Sequence, residues 1–346
     1  MDRQPTVGYS PSVMGGQILH IVNVVLPVFL VAGIGALFSR FVIDRMVAAS
    51  VRRSSGDIGP SDTATIDAIS TAIRRSLHLL TFGVAGPALI FTKLLHAELN
   101  AKTIGEPVLI ALAMYATLTA VSFGIGAIGR WASEERRAAV LAVASKNCAN
   151  YGLPIVLYAF GEEGLVIGTM FMIAHNVTHM TVGLSIAGWT GNGSRWKRLL
   201  GVFRFPYVYA VGLAFLLRAA GPSFDLPAAV ARPIEMVGST WIPLMLILLG
   251  MELARIRIAH VWRKASLLAA VKLVLPPLLA FGLITVLRID GLVRDVLIVQ
   301  SSMPTAVNGL LLARQFDARP DLVASVLMLS TLGSIVTISV LLGLLT

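Results

Sequence analysis

Along the chain, apolar runs alternate with short polar breaks, and ten of the runs are candidate membrane spans. They lie near residues 17–39, 70–95, 106–129, 137–160, 164–188, 205–219, 228–252, 265–288, 293–315 and 321–345. A hydrocarbon core about 30 Å thick takes about 20 apolar residues per helical crossing. The pattern therefore predicts an all-α membrane protein with ten transmembrane helices. Residues 1–16 read as an N-terminal tail and not as a signal peptide, because the tail carries a single Arg and the apolar run after it has full span length. The one long connection, 40–69, is rich in Ser, Asp and Arg, and its SSGD and GP pairs mark loop chemistry. It is expected to be a solvated cytoplasmic insert, with Ser61 or Asp62 capping a helix that runs into the second span.

Composition narrows the class. Hydrophobic residues make up 56% of the 346 and charged residues only 13%, about half the share of an ordinary soluble domain, which excludes a soluble enzyme. The single cysteine, Cys148, excludes an internal disulfide. The net charge of +10 does not point to a nucleic acid, because Lys and Arg fall in short clusters between the apolar runs. Alternate connections, on one side of the membrane, hold 19 of these residues, and the opposite side with both termini holds 7. By the positive-inside bias both termini lie outside the cytoplasm. Trp131, Trp189, Trp196, Trp241 and Trp262 fall mostly at span ends, as interfacial anchors do.

The chain also resembles itself. PVFLVAGIGALFSR at 27–40 is matched by PYVYAVGLAFLLR at 206–218, each opening a span. An offset of 156 brings Pro87 onto Pro243 and Phe160 onto Phe316, and sets Asn150 to Leu153 near Ala306 to Gly309. The first repeat is read as 17–188 and the second as 205–346. Five spans is an odd number, so the second half enters the membrane upside down: a 5+5 inverted repeat, in which a transporter's site lies near the midplane between the halves.

Spans 4 and 9 carry the chemistry. They read ASKNCANYGLP at 144–154 and QSSMPTAVNG at 300–309, polar and Pro-bearing interruptions inside apolar runs. Proline frees backbone groups, which hydrocarbon tolerates only where they are buried in protein or line a wet cavity. Helix N-termini created by such breaks favour an anion. The candidate binding residues are Lys146, Asn147, Asn150, Tyr151 and Pro154 from the first break, and Gln300, Pro304, Thr305 and Asn308 from the second. Lys272 inside span 8 joins them. No Asp or Glu occupies a span centre, so the intramembrane charge favours an anionic substrate. For both lysines, snorkelling or capping of a carbonyl is the alternative. His175 and His179, one turn apart, read as packing or hydrogen-bonding residues, with a proton relay or metal ligation as the alternative. No Walker-type loop is present, no catalytic set stands inside the spans, and no cofactor or metal is expected.

These runs resemble a known family. KNCANYGLP at 146–154 followed by FGEEG at 160–164 is similar to the fourth-helix signature of the auxin efflux carrier family, and QSSMPTAVN at 300–308 to its ninth. IPL at 242–244 with LGMEL at 249–253 resembles its seventh helix, and LPV at 26–28 its first. The resemblance covers nearly the whole chain outside 40–69 and extends to the bile acid/sodium symporter-like plan. It implies a scaffold of helices 1, 2, 6 and 7 and a mobile transport domain of helices 3–5 and 8–10, with broken helices 4 and 9 crossing near Pro154 and Pro304. Asn150 and Asn308 would then face the substrate carboxylate. The literal Asn-Pro-Asn of the plant carriers and their long central loop are missing, which favours a bacterial organic-acid carrier in the inner membrane over an auxin carrier.

The reading is a secondary carrier of small organic anions, malonate-like or auxin-like, working by elevator-type alternating access, with proton or sodium coupling and a homodimer through the scaffold. The alternatives are a sodium-coupled organic anion symporter of the bile-acid type and a non-transporting membrane sensor of the same fold.

Overall fold

The structure, a computed structural model, describes residues 11–55, 60–97, 100–187, 206–220, 226–256 and 261–345. Helix accounts for 90% of it, and no strand occurs among the described residues. Residues 1–10 of the expected N-terminal tail lie outside the described residues, as do the basic cluster at Arg195 to Arg198 and both Trp189 and Trp196; residues 11–16 belong to the first helix.

The helices are α1 (Pro11–Leu37), α2 (Asp44–Ser55), α3 (Pro60–Leu80), α4 (Gly86–His96), α5 (Ala101–Ile128), α6 (Ser133–Val143), α7 (Leu153–Thr178) and α8 (Leu184–Ala187). They continue as α9 (Pro206–Ala220), α10 (Ala228–Ser239), α11 (Trp241–Leu253), α12 (Trp262–Val286), α13 (Gly291–Ser301), α14 (Val307–Gln315) and α15 (Pro320–Leu345). Seven helical stretches among the described residues are long and apolar enough to cross a membrane. The difference from ten has local causes. Residues 133–187 run on as one 55-residue stretch, α9 is a shorter apolar helix, and the 293–315 region is divided between α13 and α14. Inside the long stretch Gly161, at φ 67° and ψ −161°, turns the chain back where no other residue adopts the backbone readily.

The 40–69 connection is not the expected loop. A π-helical turn, Phe38–Ile43, carries α1 on into α2, and α3 begins at Pro60. Ile43, Val47 and Val51 recur at every fourth residue and bury a stripe against Leu248 and Met251 of α11. Of the turn signal, Ser54 and Ser55 belong to α2 and Pro60 opens α3, while 56–59 lie outside the described residues.

α1 packs on α11, and α9 on α4. The first pair is backbone to backbone: a Cβ on Gly250 would run into the Ala32 carbonyl, and one on Gly35 would stand 2.7 Å from Ile247 Cα. α10 also lies close on α4, where a Cβ on Gly238 would stand 2.9 Å from Leu89 Cα. Trp241 is buried at the α10–α11 junction against Gly86, so it is a packing residue and not a span-end anchor. A second group is formed by α5 with α7, α12 with α15, and α13 with α7. Its one end is tied by charge: Glu135 accepts from Lys264 at 2.6 Å and from Arg319 at 3.3 Å. The Asp321 carboxylate, 2.7 Å from Arg319, holds that guanidinium above its ordinary range. Arg137 donates to the Ala187 and Phe316 carbonyls, capping α8 and α14. Leu30, Ile34, Leu216, Leu278 and Val336 stand exposed, an apolar surface of the kind a bilayer covers.

Candidate functional site

Two helices lose helical geometry where they meet. The first opens after α6 at Ser145 to Asn147 and resumes through a π-helical turn, Cys148–Gly152, into α7. The second opens at Ser302 to Ala306, between α13 and α14. The Asn147 main-chain N–H donates to the Pro304 carbonyl at 2.8 Å, so the breaks are joined through their backbones. Thr305 Oγ1 donates to the Ala142 carbonyl at 2.8 Å, and the Thr305 N–H donates to Ser330 Oγ at 3.2 Å. Gly309 leaves room for this approach, since a Cβ there would stand 2.6 Å from Ser145 Oγ.

A broken helix leaves its last carbonyls unpaired, and here two buried lysines take them. Lys272 Nζ donates to the carbonyls of Val143 at 2.7 Å and Ser145 at 2.5 Å, at the end of α6. Lys146 Nζ donates to the Ser301 carbonyl at 2.7 Å, at the end of α13. Lys146 therefore sits in the first break and Lys272 on the unbroken α12, and each caps a helix end in the other half of the chain. A cation also suits the negative end of a helix dipole. Both side chains are almost wholly buried, and no Asp or Glu is buried among the described residues.

The remaining predicted residues divide by place. Asn150, in the π-helical turn, and Asn308, second residue of α14, are both half-buried, each beside the start of a second half-helix. Neither the π-helical turn nor α14 has a side-chain acceptor capping its start. Asn150 Oδ1 and Asn147 Nδ2 are buried without partners. Gln300 is fully buried, its Nε2 3.4 Å from the Gly168 carbonyl and its Oε1 unpartnered. It fits because Gly152 and Gly168 carry no Cβ against it. Tyr151 is fully buried, its hydroxyl accepting from Ser334 at 3.1 Å and its ring 5.6 Å from Phe29. Pro304 takes part in the crossing itself, whereas Pro154 lies in the first turn of α7, where a proline costs nothing.

His175 and His179, expected to pack or to form hydrogen bonds, lie beside the first break. His175 Nε2 accepts the Lys146 main-chain N–H at 3.0 Å, so the neutral ring carries its proton on Nδ1, a buried donor without a partner. His179 stacks on His175 at 6.2 Å, and its Nδ1 is 3.2 Å from the Tyr115 hydroxyl. Its ring faces the Asn308 main chain. The sequence signal was the one-turn spacing; the contact with the break was not readable from it. Among the described residues no group of three or more His, Cys, Asp or Glu could hold a metal ion.

Both breaks lie inside segments that match the profile described as "Membrane transport protein", at residues 65–195 and 193–342. The chain belongs to the membrane transport protein family. This is the family of the auxin efflux carriers, in agreement with the fourth- and ninth-helix runs. The family member is 29% identical over 271 residues to an "Uncharacterized transporter" of Methanothermobacter thermautotrophicus, covering 76% of this chain and 86% of that one. It is 25% identical over 271 residues to a "Putative malonate transporter" of Rhizobium meliloti, covering 74% and 82%. These relatives are named as transporters and not as enzymes, and the chain is a multi-pass membrane transporter by family.

Proposed function

We propose that this transporter carries a small organic anion, of the malonate class, across the cell's inner membrane by alternating access. The observation that carries the reading is the charge at the crossing. Two buried lysines bring about two positive charges, and the two helix ends they cap return about half a negative charge each. About one positive charge remains in an interior with no buried carboxylate among the described residues. Leaving such a charge unpaired costs several kcal/mol, and a bound carboxylate removes that cost. Asn150 and Asn308 would hold it with the open starts of the second half-helices, while Tyr151, Pro154 and Thr305 shape the break. The name of the Rhizobium relative supports malonate as the first substrate to try.

Ten spans in two inverted halves are part of this reading. The packing supports them: α1 on α11 and α9 on α4 are the same pairing, first span of one half on second span of the other. Helices 1, 2, 6 and 7 would form the scaffold, also the surface for a homodimer, and 3–5 with 8–10 the moving part. Both termini would lie outside the cytoplasm, in line with the distribution of Lys and Arg.

A second reading, sodium-coupled symport of the bile-acid type, draws support from two buried acceptors without partners, Gln300 Oε1 and Asn150 Oδ1. Uptake of labelled malonate into proteoliposomes under an imposed pH gradient, with and without sodium, tests both. Uptake that needs the pH gradient but not sodium supports proton coupling; a sodium requirement supports the second reading. Asn150→Ala and Asn308→Ala should each weaken binding about tenfold, as loss of a hydrogen bond to a charged group does. Unchanged affinity in both folded variants would move the site elsewhere.

A further inference from the structure

A cavity of about 710 Å³ opens at the end of the molecule where α4 ends, α5 begins and α7 turns at Gly161. α4 and α10 bound it on one side with Thr92, Lys93 and Glu235; α7 and α13 bound it on the other with Glu162, Val166 and Leu292. It thus lies between the two helix groups of the fold. One ion pair crosses it: Lys93 Nζ stands 2.6 Å from Glu162 Oε1. Immediately inward is a second cavity of about 10 Å³, room for one water. Leu89, Lys93 and Val166 line both cavities; Thr169 and Trp241 line only the inner one. The Trp241 indole N–H is buried without a partner on the side of the ring that meets Gly86. Thr169 adjoins Gly168, whose carbonyl faces the Gln300 amide at the crossing. Lys93 accordingly stands at the neck between a wide basin and a small pocket, one residue from the crossing.

Resting on the anion reading above, we infer that Lys93 is an access site for the carboxylate of the transported anion, latched by Glu162 until that carboxylate takes its place. The chemistry of the neck supports this: the lysine ammonium is a donor, and the acceptor now present on Lys93 is itself a carboxylate. Glu162 is 69% exposed and Lys93 31%. An ion pair so open to water is weak, as a latch that a millimolar substrate opens must be. Shared by α4 and α7, the pair holds the two helix groups together at this end while the site is empty.

The test reads charge at the neck by cysteine labelling, with malonate as the probe of occupancy. A cysteine is placed at the neck as Val166→Cys, or in the open cavity as Leu292→Cys should the first fail to fold. Labelling by a negatively charged and a positively charged methanethiosulfonate is then compared. The parent chain, whose one cysteine is buried, supplies the blank. Glu162→Gln should speed the anionic reagent about tenfold, the scale of local charge focusing. Lys93→Gln should invert the preference in favour of the cationic reagent. Malonate should protect the Glu162→Gln protein and not the Lys93→Gln protein. Rates unmoved by either change, or moved equally for both reagents, would overturn the access site. Charge-selective labelling without malonate protection or uptake would keep a carboxylate access site and refute malonate transport instead.

Discussion

Asn147 and Pro304 are joined by a main-chain hydrogen bond of 2.8 Å at the one place where both of their helices are open. The bond makes the two breaks one structural unit. Around it the lysine caps run crosswise, Lys272 to the end of α6 and Lys146 to the end of α13. Removing either lysine would therefore disturb both halves of the chain, and the breaks have no helical ladder to fall back on.

Lys272→Met is expected to leave the Val143 and Ser145 carbonyls buried and unpaired. Each such group costs about 1–3 kcal/mol, offset in part by removal of a buried charge. The net expectation is a lower melting temperature in detergent, measured by scanning fluorimetry. Lys272→Gln keeps a donor for one carbonyl and should recover part of the loss, although it carries no charge. A Met variant as stable as the parent would show that these carbonyls find other partners.

Gly250→Leu is expected to separate α1 from α11. The obstacle is the backbone around Ala32 and Ala36, which cannot rotate aside as a side chain can. Overpacking of this kind costs about 1–3 kcal/mol and more where nothing yields. Gly33→Leu on α1 is the control, since nothing lies within 4 Å of a Cβ there. Size-exclusion chromatography of the two proteins in detergent should show a single symmetrical peak for Gly33→Leu only.

The all-helical, membrane-crossing character was legible because bilayer thickness sets a length that hydropathy reports directly, and the breaks because polar runs such as KNCAN stand out inside apolar ones. Other features depend on partners far away in sequence. Lys272 meets Val143 across 129 positions, so the spacing left capping and substrate binding equally open. Gly152 and Gly168 matter because Gln300 fills the space beside them, which composition does not reveal. In 40–69 the stripe of Ile43, Val47 and Val51 was present but diluted by Arg and Ser, and the turn residues outweighed it.

Gly161→Ala is expected to destabilise the turn between the first and second parts of α7. Its φ of 67° with ψ of −161° belongs to a region that is essentially glycine's alone, and forcing a Cβ into it costs about 1–3 kcal/mol. Nothing lies within 4 Å of a Cβ at this position, so the whole effect is backbone strain. A larger residue such as Gly161→Ser should then cost no more than Ala in the same thermal measurement. A steep rise with side-chain size would point to crowding instead.

Net positive charge at the crossing can be tested without any transport assay. An anion that neutralises the crossing binds the folded protein alone, so at 100 times its Kd it should stabilise by about 2.7 kcal/mol. Malonate should thus raise the melting temperature at constant ionic strength, and a diamine of similar length should not. Lys146→Gln, which keeps a donor for the Ser301 carbonyl while removing the charge, should retain the fold and lose most of the malonate shift. Equal stabilisation by malonate and by the diamine would mean that the crossing holds no net positive charge, since a positive centre attracts the one and repels the other.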